Sequence, residues 1–211
     1  MGYCCLAIPH FNTFVVMIFD LPKTVEIDGE LFDIRYDFRV VLEILVMLCD
    51  PELSNDDKAE ALINMFYCDP ETVSDVKKAV DACYKFIDMG SQRPNKKSPR
   101  LTDWKQDYEY IIAPVNRVLG YEARAVAYDI ASNTGGVHWW TFMSAYMEIG
   151  SDCLFSQIVS IRDKQARGKK LEKNEREWLR RNGDLVKIKT EYTSAENSLI
   201  GSWTKGVVSN G

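Results

Sequence analysis

The chain has 211 residues, of which 46% are hydrophobic and 27% charged, and its formal net charge is −5. A disordered chain carries far fewer large apolar residues, and no stretch approaches the roughly 20 apolar residues that span a bilayer. The charge is uneven: residues 17–90 hold 7 Lys and Arg against 17 Asp and Glu, whereas residues 162–181 hold 9 against 4. An acidic front and a basic rear can attract each other, a second copy (self-association) or a charged partner.

The six cysteines and two histidines argue against a metal site. No two cysteines form a C-x-x-C pair, and a structural zinc needs four clustered soft ligands. Cys49, Cys68 and Cys83 fall on apolar stripes, where a free thiol behaves as a small hydrophobe. This usage is typical of a reducing cytoplasm. We therefore expect no metal, no cofactor and no disulfide framework.

Residues 1–16 form a doubtful N-terminal extension. They contain a short apolar run without a basic region or a cleavage site, so a signal peptide fits poorly. Gly2 and the following cysteines suggest acylation, but Leu6 stands where N-myristoylation requires Ser or Thr. Either these residues are a real arm, or they lie upstream of a natural start at Met17. We favour the start at Met17.

The acidic segment 17–90 opens with a predicted β-hairpin. Residues 23–36 alternate apolar and charged side chains on both sides of Asp28 and Gly29. An Asp-Gly pair between two such runs is a strong hairpin signal. Because two strands alone are marginally stable in water, this hairpin must pack on something or pair with another chain.

Three helices are predicted after the hairpin. Apolar residues recur at helical spacing over 38–49, which indicates the first helix. Ser54 and Asp57 resemble a capping box that opens the second. Asp69 as N-cap, followed by Pro70 at the first helical position, indicates the start of the third. Hairpin and helices together predict one lobe over residues 17–90.

Residues 91–102 are polar and basic and contain two prolines, so they predict a linker to a second helical lobe over 103–190. We expect Thr102 to cap the first helix of that lobe, Pro114 to kink it, and Ser151 to cap a later one. A charged helix is expected near 171–181, and residues 191–211 are predicted to be a flexible tail. The predicted fold is mainly α with a small N-terminal β-hairpin: two helical lobes joined by a basic linker.

Catalysis finds little support in the sequence. Outside residues 1–16 the chain has one histidine, His138, and Cys153 is its nearest cysteine, with Gly150 between them. A nucleophile needs a base and an orienting group, and no recognisable motif surrounds this pair. His138 is more simply interpreted as a helix cap bonded to the backbone. We therefore expect that the protein is not an enzyme.

The sequence offers little support for a phosphate site or a nucleic-acid site. Gly135 and Gly136 match no phosphate-binding motif, so they indicate a turn. The basic stretch 162–181 could contact nucleic acid, but it lacks interleaved aromatic residues apart from Trp178, and the whole chain is acidic. Nucleic-acid binding is therefore not favoured.

An aromatic cluster at 138–142, within a predicted helix over 138–149, is the most informative local feature. Bulky apolar groups cover a wide arc of this helix, which indicates either a core helix or one half exposed for a partner. We hypothesise a partner-binding surface formed by His138, Trp139, Trp140, Phe142, Tyr146 and Arg162. Trp139 is expected to lie nearer the core than Trp140.

The stretch from Asn133 to Gly150, NTGGVHWWTFMSAYMEIG, resembles the signature of the bacteriophage gene-product-fifteen family. Further matches are IVSIRDK at 158–164, GKKLEK at 168–173, TDWxxD at 102–107 and FDLP at 19–22. The resemblance covers roughly residues 17–190. This family occurs in siphophages and prophages of Gram-positive bacteria, and it has no established catalytic residues to transfer.

The resemblance implies a phage tail assembly chaperone acting in the cytoplasm of the bacterial host. Genes of this family typically lie just upstream of the tape measure gene. The implied partners are therefore the tape measure protein and tail tube subunits, with no membrane involved. Two alternatives stay open: a structural tail component retained in the virion, and a small enzyme or nucleic-acid-binding protein.

Overall fold

The computed structural model describes residues 20–91 and 99–198, and the N-terminal extension 1–16, most of the linker and the end of the tail lie outside this part. The described fold is mainly helical with a small N-terminal antiparallel hairpin, which confirms the predicted fold class. The helices are α1 (Phe38–Leu48), α2 (Asn55–Phe66), α3 (Val76–Ile87), α4 (Trp104–Leu119), α5 (Trp139–Met147), α6 (Leu154–Ala166) and α7 (Lys173–Val186).

The hairpin consists of β1 (Thr24–Ile27) and β2 (Glu30–Asp33), which pair in antiparallel register. Asp28 and Gly29 form its two-residue turn with φ angles of 54° and 87°. A turn with positive φ at both positions matches the right-handed twist of the strands, and Asp-Gly tolerates it well. The hairpin packs on α3, which gives the two strands the support that they need.

The beginnings of α1 and α2 follow from their local sequence. The Asp37 carboxylate accepts a hydrogen bond from the backbone N–H of Arg39 and so caps α1. At α2, Ser54 and Asp57 form the predicted capping box, in which each side chain accepts from the other residue's backbone N–H. The prediction of the second helix from Ser54 is confirmed.

Helix α3 begins later than predicted. Asp69 and Pro70 open only a short 3-10 turn over Pro70–Thr72, in which the Asp69 side chain makes no capping hydrogen bond. The helix itself starts at Val76, because the Asp75 carboxylate accepts from the backbone N–H of Lys78 at 3.1 Å. Asp69 and Asp75 are both possible N-caps and lie six residues apart. Only Asp75 is followed by a continuous apolar stripe.

The caps of α4 and α6 also differ from the prediction. Asp103 caps α4 in place of Thr102, whose hydroxyl lies 3.4 Å from the hydroxyl of Tyr146. Cys153 caps α6 in place of Ser151: its Sγ accepts from the backbone N–H of Ser156. A thiol is a weak acceptor, so this cap was not expected from residue preferences.

Between α4 and α5 the chain forms a second, very short ribbon. β3 (Tyr128–Asp129) pairs with β4 (Thr134–Gly135) in antiparallel register. The sequence predicted only a turn at Gly135 and Gly136 here. The ribbon is followed by Gly136 and the buried Val137, and α5 then begins after its N-cap His138.

One hydrophobic core joins the two predicted lobes. Helix α1 contacts both α4 and α5, and the rings of Phe38 and Phe142 stack with centroids 4.7 Å apart. Trp139 is 1% exposed and lies in the same cluster as buried residues of α2 and α3. Residues 91–102 therefore connect two stretches of sequence that share one core.

Candidate partner-binding surface

The segment from Val137 to Trp139 is hydrogen-bonded to the end of the hairpin segment. The backbone N–H of Phe38 donates to the carbonyl of Val137 at 2.9 Å, and the N–H of Trp139 donates to the carbonyl of Tyr36 at 2.7 Å. An antiparallel bridge between Asp37 and His138 results. Residues about 100 positions apart are thus paired, and the signature segment connects the two halves of the chain.

Both tryptophans of the signature complete the end of α3. The indole N–H of Trp139 donates to the carbonyl of Ile87, and that of Trp140 donates to the carbonyl of Phe86, each at 2.9 Å. The last carbonyl groups of a helix have no partner within it, so side-chain donors stabilise them. These indoles therefore have a structural role that is independent of any partner.

His138 is the N-cap of α5, as the simpler interpretation predicted. Its Nδ1 accepts from the backbone N–H of Trp140 at 3.0 Å, so the ring proton sits on Nε2, which donates to the carbonyl of Pro22 at 2.8 Å. The ring stacks on Tyr36 with centroids 5.3 Å apart. Burial lowers the pKa of this imidazole. With both nitrogens bonded to backbone, the ring presents no base to a nucleophile.

Asp37, which the sequence did not single out, lies against Gly136, for which the sequence indicated only a turn. Gly136 has a φ of 74°, and a Cβ placed on it would lie 2.1 Å from Oδ2 of Asp37. The fully buried Asp37 carboxylate also accepts from the backbone N–H of Val137 at 2.8 Å and pairs with Arg39 at 2.7 Å. The sequence did contain a signal for the role of Asp37, since Asp is a good N-cap residue and Asp37 stands directly before the apolar stripe of α1.

Arg162 lies inside the protein. Its guanidinium forms a two-pronged pair with the Asp107 carboxylate at 2.6 and 3.0 Å. The remaining N–H groups donate to the carbonyls of Leu101, Leu185 and Val186 at 2.7–2.9 Å. All five donors are thereby satisfied, which is the condition for burying a charged pair without a large penalty. Arg162 therefore attaches α6 to α4 and to the end of α7.

The structure separates the six predicted partner-binding residues into two groups. Four of them, His138, Trp139, Phe142 and Arg162, are buried, so a partner cannot touch them on the folded protein. Trp140 and Tyr146 are partly exposed. The expectation of direct contact is thus corrected for the four buried residues, because each fills the core or satisfies buried polar groups. Binding at the other two stays a prediction.

The outer face of α5 is defined here as Trp140, Met143 and Met147, of which the first two are half-buried against the core and the third is exposed. These residues follow a spacing of three and four, so they share one side of the helix, turned away from Phe142 and bordering the stripe of Trp139. Met147 is 54% exposed. Methionine is flexible and polarizable and adapts to partners of different shape. Met147 is the exposed large apolar side chain of the signature segment.

Metal binding and membrane insertion were two further possibilities for the described part of the chain. In residues 20–91 and 99–198, no group of three or more His, Cys, Asp or Glu side chains is arranged to hold a metal ion. None of the helices described in those ranges combines the length and the apolar character needed to cross a membrane.

The fold and its surfaces define a mainly helical protein with one aromatic core and an apolar outer face on α5. A family model described as "Bacteriophage Gp15 protein" matches residues 17–192. The chain therefore belongs to this bacteriophage family, which confirms the resemblance found in the sequence. No curated protein sequence and no solved structure matches the chain.

Proposed function

We propose that this chain is a tail assembly chaperone that binds the tape measure protein of its phage in the cytoplasm of the bacterial host. The observation that carries the proposal is the family match over residues 17–192. Genes of this family typically lie just upstream of the tape measure gene, and a chaperone made beside its client can bind that client as it is synthesised. No catalytic step and no cofactor belong to this function.

The outer face of α5 supports a binding role. A tape measure protein is long and helical, so it offers apolar side chains at regular intervals along its length. Trp140, Met143 and Met147 can pack on such a stripe, and many weak contacts along one client add up to tight coating. Tail tube subunits are the second proposed partner, recruited to the coated tape measure.

A pull-down of tagged chain from cells with an induced prophage tests the proposal. We expect mass spectrometry to recover one very long, helix-rich phage protein. Recovery of tail tube or capsid proteins without it would favour a structural tail component, and so would stoichiometric amounts of this chain in purified virions. Strongly salt-dependent DNA binding would favour a nucleic-acid role instead.

Met147→Glu tests the surface. We expect the substitution to weaken tape measure recovery about tenfold or more, because it places a charge within an apolar contact. Thermal unfolding should change little, since Met147 is 54% exposed. The matched control is Ile130→Glu, which puts the same charge at a 58% exposed apolar residue between β3 and β4. Equal recovery with both variants would exclude the outer face of α5.

Trp140→Ala is expected to weaken binding of the tape measure protein more than Trp139→Ala does, once the loss of stability in each variant is taken into account. Trp139 is a core residue, whereas Trp140 belongs to the outer face. However, Trp140→Ala also removes the hydrogen bond to the carbonyl of Phe86. Its binding data therefore need correction for stability, and Met147→Glu is the cleaner variant.

A further inference from the structure

The segment that follows α7 is held against α4 in a particular way. Both ends of the Gln106 side-chain amide contact it: Nε2 donates to the carbonyl of Lys187 at 2.9 Å, and Oε1 accepts from the N–H of Lys189 at 3.1 Å. Lys105 pairs with Glu191 at 2.6 Å. Contacts to the backbone of alternate residues are how proteins bind a non-helical peptide without regard to its sequence, and side-chain contacts then add specificity.

Residues 187–191, called the strap here, lie along a groove between α1 and α4. Apolar walls come from Leu45 and Val46 of α1 and from Trp104, and Ile188 of the strap faces the same space. An open volume of about 480 Å³ is left beside the strap. The strap therefore covers the groove without filling it, and a larger occupant has room.

The strap is attached more weakly than the residues before it. Val186 is 3% exposed, and its carbonyl accepts from the buried guanidinium of Arg162. Beyond Val186 the contacts are made by the half-buried Gln106 and Ile188 and by the exposed Lys105–Glu191 pair. Exposed ion pairs contribute little to stability. These are the contacts that must break if residues 187–191 are to leave the groove while α7 stays in place.

We propose that this groove is a peptide-binding site that the strap occupies in cis. The partner is a protein segment in non-helical form that carries an apolar residue and, three positions later, an acidic residue, as Ile188 and Glu191 do in the strap. The apolar side chain enters the space beside Trp104, the acid pairs with Lys105, and the Gln106 amide holds the backbone. This site is separate from the outer face of α5, so it can be tested whether or not the chain binds a tape measure protein.

The test uses the full chain and a fluorescent peptide with the sequence of residues 186–193. Lys189→Pro removes the N–H that donates to Gln106 and so releases the strap, while Val186 and Arg162 are unchanged. The peptide is expected to bind this variant about tenfold more tightly than the wild-type chain, whose groove is free only part of the time. A scrambled peptide should not bind.

A second substitution in the Lys189→Pro background identifies the site. Gln106→Ala should abolish peptide binding, whereas Gln157→Ala, at an exposed glutamine of α6, should leave it unchanged. Absence of peptide binding to a Lys189→Pro variant with normal circular dichroism and thermal stability would overturn the proposal. Equal binding by the two glutamine variants would overturn it too. If the wild-type chain forms dimers and the peptide dissociates them, the groove binds the strap of a second copy of this chain and not a separate partner protein.

Discussion

At the scale of single residues, the close approach of Asp37 and Gly136 helps to join the first half of the chain to the signature segment. The Asp37 carboxylate caps α1, pairs with Arg39 and accepts the N–H of Val137, so it has no capacity left for solvent. A side chain at position 136 would occupy the place of that carboxylate. The glycine of the signature is therefore required by close approach as well as by its backbone conformation.

Gly136→Ala is expected to lower the free energy of unfolding by at least about 2 kcal/mol, since it combines an unfavourable φ with a clash. Gly120→Ala is the matched control. Gly120 has a similar φ of 77°, but a Cβ there meets nothing within 4 Å. We expect it to cost about 1 kcal/mol. Urea denaturation measures both, and equal losses would show that the Asp37 contact contributes nothing.

His138 should make stability depend on pH. Burial lowers the pKa of the folded imidazole, with a smaller contribution from Lys23, while the hydrogen bond to Pro22 and the charge of Asp37 act in the opposite direction. Unfolded histidine titrates near pH 6.5, at about its ordinary value. The stabilising contribution of the neutral ring is therefore present above about pH 6.5 and is lost as the pH falls toward the folded pKa.

His138→Asn isolates this effect, because Asn is a good N-cap that does not titrate. We expect the melting temperature of the wild-type chain to fall more between pH 7.5 and 5.5 than that of the variant. Differential scanning fluorimetry at both pH values measures the difference. Identical decreases in the two proteins would assign the acid sensitivity to other groups.

At the scale of elements, the helices depend on local caps as well as on burial. Ser54 and Asp57 exchange hydrogen bonds at the start of α2, a helix of which only Leu62, Ile63 and Phe66 are buried. The last turn of α2 is completed by Arg35, whose guanidinium donates to the carbonyls of residues 64, 65, 67 and 68. Both ends of this helix therefore have partners for backbone groups that its own hydrogen bonds leave free.

Ser54→Ala is expected to cost about 1 kcal/mol of stability, the usual effect of removing an N-cap side chain. Ser160→Ala, at an exposed position inside α6, is the matched control and should change stability by less than about 0.5 kcal/mol. Urea denaturation measures both variants. A loss with Ser54→Ala no larger than that of the control would mean that the capping box is not needed.

At the scale of the whole molecule, buried residues of α1, α2, α3, α4 and α5 belong to one cluster. Two of the contacts that join the halves are made by the signature: the indoles of Trp139 and Trp140 bond to the end of α3. Loss of either half would expose the apolar surface of the other. The two predicted lobes should therefore unfold together.

We expect denaturation followed by tryptophan fluorescence and by far-ultraviolet circular dichroism to give coincident single transitions. Fluorescence reports mainly on Trp104, Trp139 and Trp140, where both halves meet, and circular dichroism reports on all helices. Two separate midpoints would instead indicate lobes that fold independently. A Trp139→Phe variant provides the control, because it should lower both midpoints by the same amount.

Much of the local structure could be predicted from the sequence. The hairpin turn at Asp28 and Gly29, the capping box of α2 and the family signature all depend on residues close together in the chain, whose preferences act over a few positions. The starts of α3, α4 and α6 were misplaced. Several cap residues compete within a few positions there, and tertiary contacts, such as that of Thr102 with Tyr146, decide between them.

The fold class, the hairpin, the presence of the helices and the family could be read from the sequence alone, because periodicity, turns and motifs are local properties. Which signature residues are buried and which are exposed depends instead on tertiary packing. The wide apolar arc of α5 was compatible with a core helix or an exposed one, and the packing of α1 and α4 against α5 leaves Trp139 inside and Met147 outside. Burial depends on residues distant in the chain, as the pairing of Asp37 with Val137 shows.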